Sequence, residues 1–266
     1  MEERMEKNSD AKFKIISCCS VIGFIAIWYL CTDILQLTTD ITLPGPVTVL
    51  RTFISKFTNK SPDGGTLLQH MWSSLRVALS GYAMGIVVGV PLGILMAWYR
   101  PVDLLARPIF DFVKAIPGLA WAPLLIILLG IGFMSKAVTI FVAALTPCVL
   151  NAYAGVKQTR EVHMWVARTF GATRRQMLFK VAIPTALPHI MTGIRVALGS
   201  AWMSIVAAEL IASSSGLGYM IQQCRGIYRP DVIIVGMLMI GFIGSVLTWV
   251  IGVVERAIVK GQTHDA

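Results

Sequence analysis

Charge is scarce in this chain, and acid is scarcer. Only 14% of its 266 residues are charged, with 14 Asp and Glu against 23 Lys and Arg. A soluble domain this poor in charge would have no means of hiding the remaining apolar surface, which excludes water as the main solvent. Also missing is any GxxxxGK[ST] run, so the phosphate-cradling loop of an ATPase is absent and energy must come from a partner or a gradient. Cys18, Cys19, Cys31, Cys148 and Cys224 show no CxxC or Cys/His metal spacing and read as small apolar packing residues. His70, His163, His189 and His264 likewise have no ligand spacing, so no metal site is expected. Ser200, Ser204 and Thr192 lack a companion base, which argues against an intramembrane enzyme. The formal charge of +9 does not indicate nucleic acid, because the basic residues flank apolar runs instead of forming an aromatic-interleaved surface.

What is present is apolar length. The chain is 56% hydrophobic, and six segments are long enough to cross about 30 Å of hydrocarbon: 14–35, 73–98, 106–129, 134–157, 188–212 and 231–256. These predict an all-α integral membrane protein with one transmembrane domain over 14–260, a short segment at 1–13 and a tail at 261–266. The first span is not followed by a small-residue cleavage site, so it is expected to stay as a helix. With an even number of spans both ends share a side. That side would carry Arg4, Lys7, Lys12, Lys14, Arg100, Arg107, six basic residues within 157–180, Arg256 and Lys260. The other side would carry Arg51, Lys56, Lys60, Arg76, Lys136, Arg225 and Arg229, half as many. Positive-inside bias therefore places both termini in the cytoplasm.

A polar, basic insert at about 158–186 separates the fourth and fifth spans. Val162, Trp165, Val166, Thr169 and Phe170 repeat at helical spacing on one face, and Gly171 suits the left-handed turn that stops a helix. Thr173 with Gln176 is a capping box for a second short helix, which Pro184 is expected to limit. Gly81, Gly85, Gly89 and Gly93 line one face of the second span, either for packing within one subunit or as a dimer or pore seam. Pro91 should kink that span. Pro117, Gly118 and Pro123, with Trp121 between them, should break the third. Broken backbone at membrane depth is tolerated only against protein or a water-filled cavity, so this stretch is the candidate pathway. Gly193, Ala197, Ala201, Ser204 and Ala208 supply a small-residue seam on the fifth span. Asp111 and Lys114, three apart on one face, should neutralise each other or snorkel rather than bind substrate. Arg195 and Glu209 are charges within the fifth span, and Glu209 has either a buried structural partner such as Arg225 or a gate role.

The insert also carries a resemblance. Ala167, Gly171, Val181, Ile183 and Pro184 keep the spacing of the Glu-Ala-Ala loop of binding-protein-dependent ABC transporter permeases, with Trp165 where that family has Glu and Val166 where it has the first Ala. LPGPVTV at 43–49, SLRVALSGYAMGIVVGVPLGILMAW at 74–98, AIPGLAWAPLLIILLGIG at 115–132, GIRVALGSAWMSIVAAE at 193–209 and GLGYMI at 216–221 resemble the branch importing nitrate, sulfonates and taurine. The same branch includes permeases for vitamin precursors.

The resemblance implies a type I ABC importer-like subunit of a bacterial-type inner membrane, with a cytoplasmic helix-Gly-helix coupling loop. Trp165, Val166, Ala167, Phe170, Gly171, Ala172, Val181, Ile183 and Pro184 would form that loop. Its partners would be ATP-binding cassette ATPase subunits, an extracytoplasmic solute-binding protein, a second permease copy and the lipid bilayer, with ATP and magnesium held by the ATPase and no cofactor or catalysis in this chain. A gradient-driven secondary transporter is the alternative class, but it would carry midplane ion sites and an inverted repeat.

Overall fold

The computed structural model describes residues 19–259. The expectations on Arg4, Lys7, Lys12, Lys14, Cys18, Lys260 and His264, and on the segments 1–13 and 261–266, fall outside the described residues. Every regular element among the described residues is helical. In chain order they are α1 (Cys19–Ile34, ending in a π turn at Leu30–Ile34), α2 (Pro46–Ser55), α3 (Leu67–Trp98), α4 (Arg100–Ala115) and a 3-10 turn at Gly118–Trp121. Then follow α5 (Ala122–Leu129), α6 (Phe133–Lys157), α7 (Glu161–Thr169), α8 (Arg174–Met177), a π turn at Leu178–Ala182, α9 (Ile183–Ile211), α10 (Leu217–Gly226) and α11 (Pro230–Val259).

Four helices are long and apolar enough to cross a bilayer: α3, α6, the continuous Arg174–Ile211 run that contains α9, and α11. The pair α4 and α5 makes a fifth span if counted as one, but it bends by 90°. The third predicted span is therefore broken at Pro117 and Gly118, as its sequence leads one to expect, but its helix begins at Arg100 and not at 106. The first predicted span is, over its described part, a shorter apolar helix.

The chain divides into two compact units, with boundaries after Leu67, Tyr219 and Leu238. The larger is organised around α6. Its Ala137, Ile140, Ala144, Cys148, Val149 and Ala152 are buried, and the α3 glycine stripe lies directly on them. A Cβ at Gly85 would stand 2.6 Å from the Ala144 Cβ, and one at Gly89 would stand 2.8 Å from the Cys148 Cβ. The stripe is thus spent on close packing within one subunit. On another face of α6 lies the small-residue seam of α9, where Gly193 meets Asn151 and Pro147 and where Ala197, Ala201, Ser204 and Ala208 are buried. Such close backbone approach is how apolar helices gain dispersion contacts when lipid removes the usual hydrophobic drive.

Of the prolines within helices, Pro184 behaves differently from expectation. Helix α3 runs without interruption through Pro91. Pro184 does not end the short helix begun by Thr173. The π turn at Leu178–Ala182 lets the helical path pass straight into α9, with Pro184 in its first turn. A wider turn accommodates the proline ring and its missing N–H, so the helix is retained where an α-turn would clash.

In the smaller unit, Lys56 and Asp63 form a buried ion pair, and Lys56 also donates to the Gly65 carbonyl at 2.8 Å. Arg229 binds Asp231 through Nε and Nη2 at 2.9 and 2.8 Å. Cys224 is fully buried there, and that burial pushes its thiol up to about 11, which keeps it protonated and inert as a packing residue.

Candidate functional site

Helix α7 ends as the sequence predicts. Gly171 has φ 77°, a left-handed conformation that β-carbons disfavour, and no neighbour crowds it. Its N–H donates to the Arg168 carbonyl at 2.9 Å and the Ala172 N–H to the Ala167 carbonyl at 3.0 Å, the bond pattern of a Schellman stop. Thr173 then caps α8: its backbone N–H donates to Gln176 Oε1 at 2.8 Å, and its Oγ1 accepts from the Gln176 N–H. The side chains divide by position. Trp165, Val166 and Phe170 are exposed, Phe170 by 87%, while Ala167 and Ala172 are half-buried. Val181, Ile183 and Pro184 are half-buried, and Ala182 and Leu178 sit in a core cluster with Ala152, Val156 and Ala97. An exposed aromatic and aliphatic face is therefore rigidly anchored to the span behind it.

The break between α4 and α5 opens a cavity of about 490 Å³. It is lined by Ile116, Pro117, Gly118 and Leu119 from the break, by Thr146 and Asn151 of α6, and by Ser200 and Ser204 of α9. Gly118 lets the 3-10 turn approach α6 closely, since a Cβ there would be 2.6 Å from the Ala143 Cβ. Lys114 reaches the cavity edge while paired with Asp111 at 2.6 Å, as its spacing predicted. The structure thus brings Pro117, Gly118 and Ser204 to one cavity. Trp121, Pro123 and Glu209 are not among its walls. The walls are mostly apolar with a few hydroxyl and amide groups.

Glu209 lies at the end of α9, 1% exposed, inside a folded-back loop. Ser74 Oγ is 2.9 and 2.8 Å from its two carboxylate oxygens, and the Gly218 N–H donates to Oε2 at 3.0 Å. Ser74 Oγ also accepts from the Leu217 N–H at 2.9 Å, and His70 Nδ1 accepts from the Gly216 N–H at 3.1 Å. Gly216 has φ 123°, and a Cβ on it would fall within the Glu209 carboxylate. The Gly-Leu-Gly run is therefore the wrapping of a buried acid, and the partner is Ser74 with the Gly218 amide rather than Arg225. Beside it, buried Lys136 donates to Ser213 Oγ at 2.9 Å. Sequence reasoning counted Lys136 as a loop-side cation and missed Ser74 and His70. The legible signal was the cluster of polar side chains, Gln69, His70, Ser73, Ser74 and Arg76, at the head of a long apolar span. Among the described residues no group of three His, Cys, Asp or Glu side chains could hold a metal ion.

Residues 89–264 match the family described as the binding-protein-dependent transport system inner membrane component. The chain belongs to that family. The permease is 36% identical to the taurine transport system permease protein TauC of Escherichia coli over 87% of its own length and 84% of that protein's. It is 32% identical to the putative aliphatic sulfonates transport permease protein SsuC of Bacillus subtilis, covering 89% and 83%. A putative ABC transporter permease of Methanocaldococcus jannaschii is 42% identical over 69% of each chain. In fold, the permease resembles the inward-facing MetNI methionine ABC transporter with TM-score 0.63 at 20% identity, covering 72% of this chain and 95% of that one. It is thus a multi-pass membrane subunit of the taurine- and sulfonate-type branch, in a family whose permease subunits are non-catalytic.

Proposed function

We propose that the permease is the membrane-spanning half of an ATP-driven importer for a small, polar or anionic solute such as nitrate, a sulfonate or taurine, moved by alternating access. The observation that carries this reading is the exposed Trp165, Val166 and Phe170 face held on a Schellman stop, because a rigid apolar face outside the long spans is suited to transmit a push. ATPase subunits, with their ATP and magnesium, dock on Trp165 to Pro184, and both termini lie on that same cytoplasmic side. The single domain over 14–260 crosses six times, with the first helix and the bent α4–α5 pair each counted as a span. A second permease copy completes the pathway, and an extracytoplasmic solute-binding protein delivers the solute. The cavity at Pro117, Gly118 and Ser204 is this chain's share of the path, while Glu209 holds the loop at its outer closure.

The test is reconstitution in liposomes. Uptake requires the permease, the ATPase, ATP and the binding protein together, and the permease alone hydrolyses no ATP. Gradient-driven uptake by the permease alone would overturn the reading in favour of a secondary transporter.

A further inference from the structure

The smaller unit holds a separate cleft of about 200 Å³ with a mostly polar wall. Helix α2 places Arg51 and Ser55 four residues apart, and therefore on one face, and Lys56 follows at its C-terminal cap. Asn59, Ser61 and Arg229 complete the lining that matters here.

The charges around it are not balanced. Lys56 is 2% exposed, and its ammonium is occupied by Asp63 and the Gly65 carbonyl. Arg229 is occupied by Asp231, whose Oδ2 also accepts from Thr52 Oγ1 at 2.8 Å. Both carboxylates are 7% exposed and committed to these contacts. Arg51 has no carboxylate within ion-pair distance among the described residues. Three cations against two carboxylates leave one positive charge at the cleft. The polar groups lean the same way. Asn59 Oδ1 accepts from the Ser61 N–H at 2.9 Å, which turns the Asn59 amide donors away from that bond. Donors thus outnumber free acceptors, the arrangement that an oxyanion satisfies and a cation does not.

We propose that this cleft binds a small oxyanion of the carboxylate, sulfonate or sulfate class, with Arg51 as the charge the anion neutralises. The site is independent of the transport cavity, and its failure would leave the permease reading untouched. The guanidinium fork matches two oxygens of such a group, while the buried Lys56–Asp63 pair and the bidentate Arg229–Asp231 pair hold the wall in place. Because the cleft is open to solvent, binding is weakened by added salt.

The test uses the full chain in nanodiscs of neutral lipid, with inorganic sulfate as the probe in equilibrium dialysis at low ionic strength. One saturable site is expected, and Arg51→Gln weakens it by about tenfold or more, since a charge-assisted bond is lost. Arg51→Lys retains part of the affinity, and Arg225→Gln, which alters an exposed cation outside the cleft, binds as the wild type does. Matching thermal unfolding midpoints confirm that each variant is folded. Wild-type protein without saturable sulfate binding, or Arg51→Gln binding equally well, overturns the proposal. Loss of binding-protein capture by Arg51→Gln without any sulfate saturation would instead assign the cleft to an acidic side chain of that partner, and the free-anion proposal would fall.

Discussion

Ser74 and Glu209 are 135 residues apart in sequence, yet one hydroxyl lies within 2.9 Å of both carboxylate oxygens. The same hydroxyl accepts from the Leu217 N–H, so a single side chain joins the head of α3 to the acid that ends α9 and to the loop beyond it. Ser74→Ala would leave a buried amide and a buried carboxylate oxygen each short of a partner. Losses of about 1–3 kcal/mol are usual for such a buried group, and the thermal unfolding midpoint in detergent should fall accordingly. Ser74→Thr, which keeps the hydroxyl, should fall less. Equal midpoints for Ser74→Ala and the wild type would make the contact energetically empty.

A second consequence concerns the loop's glycine. Gly216→Ala meets both a φ of 123° and the carboxylate itself, so the loop must open or Glu209 must leave its site. Limited proteolysis after Ile211 should speed up in Gly216→Ala but not in Gly226→Ala, where a Cβ meets nothing within 4 Å.

How far these features could be read in advance depends on their range. The Gly171 stop and the Thr173 and Gln176 capping box are local chemistry, complete within a few residues, and the structure has both. The break at Pro117 and Gly118 was equally local, since proline and glycine act on their own turn. Its 90° angle was not, because it depends on Gly118 meeting Ala143 across the fold. Pro184 misled for a related reason: the π turn before it is an alternative backbone path that the proline rule does not anticipate. Glu209 was legible as a costly charge, but its partner was not. Charge pairing suggested Arg225, whereas burial selected the Ser74 hydroxyl and the Gly218 amide that only the loop's return brings close.

The glycine stripe of α3 makes a steric prediction. Gly85→Ala should gain helix propensity of roughly 1 kcal/mol in isolation, but its Cβ would lie 2.6 Å from the Ala144 Cβ. Overpacking typically costs about 1–3 kcal/mol, so Gly85→Ala should be net destabilised and Gly85→Val more so. The double variant Gly85→Ala with Ala144→Gly should recover stability in a double-mutant cycle. Failure to recover would place the stripe's role outside this helix pair.

On the exposed α7 face proposed to dock the ATPase, Phe170 is 87% exposed, so Phe170→Ala should leave the unfolding midpoint unchanged. If Phe170 fills a pocket on the ATPase, the same change should weaken ATPase association by about tenfold or more, as truncating a central aromatic anchor does. Pull-down of the ATPase by detergent-solubilised permease measures this directly. A full-strength complex with Phe170→Ala and Trp165→Ala together would remove the face from the interface.

The cavity yields the most direct test of the pathway. Thr146, Asn151 and Ser200 line the space beside the α4–α5 break, whereas Gly85 is pressed against α6. Single cysteines at Thr146, Asn151 and Ser200 should therefore react with a water-soluble maleimide in the assembled transporter, and a cysteine at Gly89, packed on Cys148, should not. These cysteines are placed in a background with Cys18, Cys19 and Cys31 replaced by serine, in which buried Cys148 is kept as an internal control for reagent leakage. Alternating access requires the cavity to exchange the side it opens to, so trapping ATP on the partner should change the rates at all three positions together. Reactivity that is high but indifferent to nucleotide would describe a static crevice. Uniform protection in both states would mean that lipid or protein fills the space, and the pathway would then lie away from Pro117, Gly118 and Ser204.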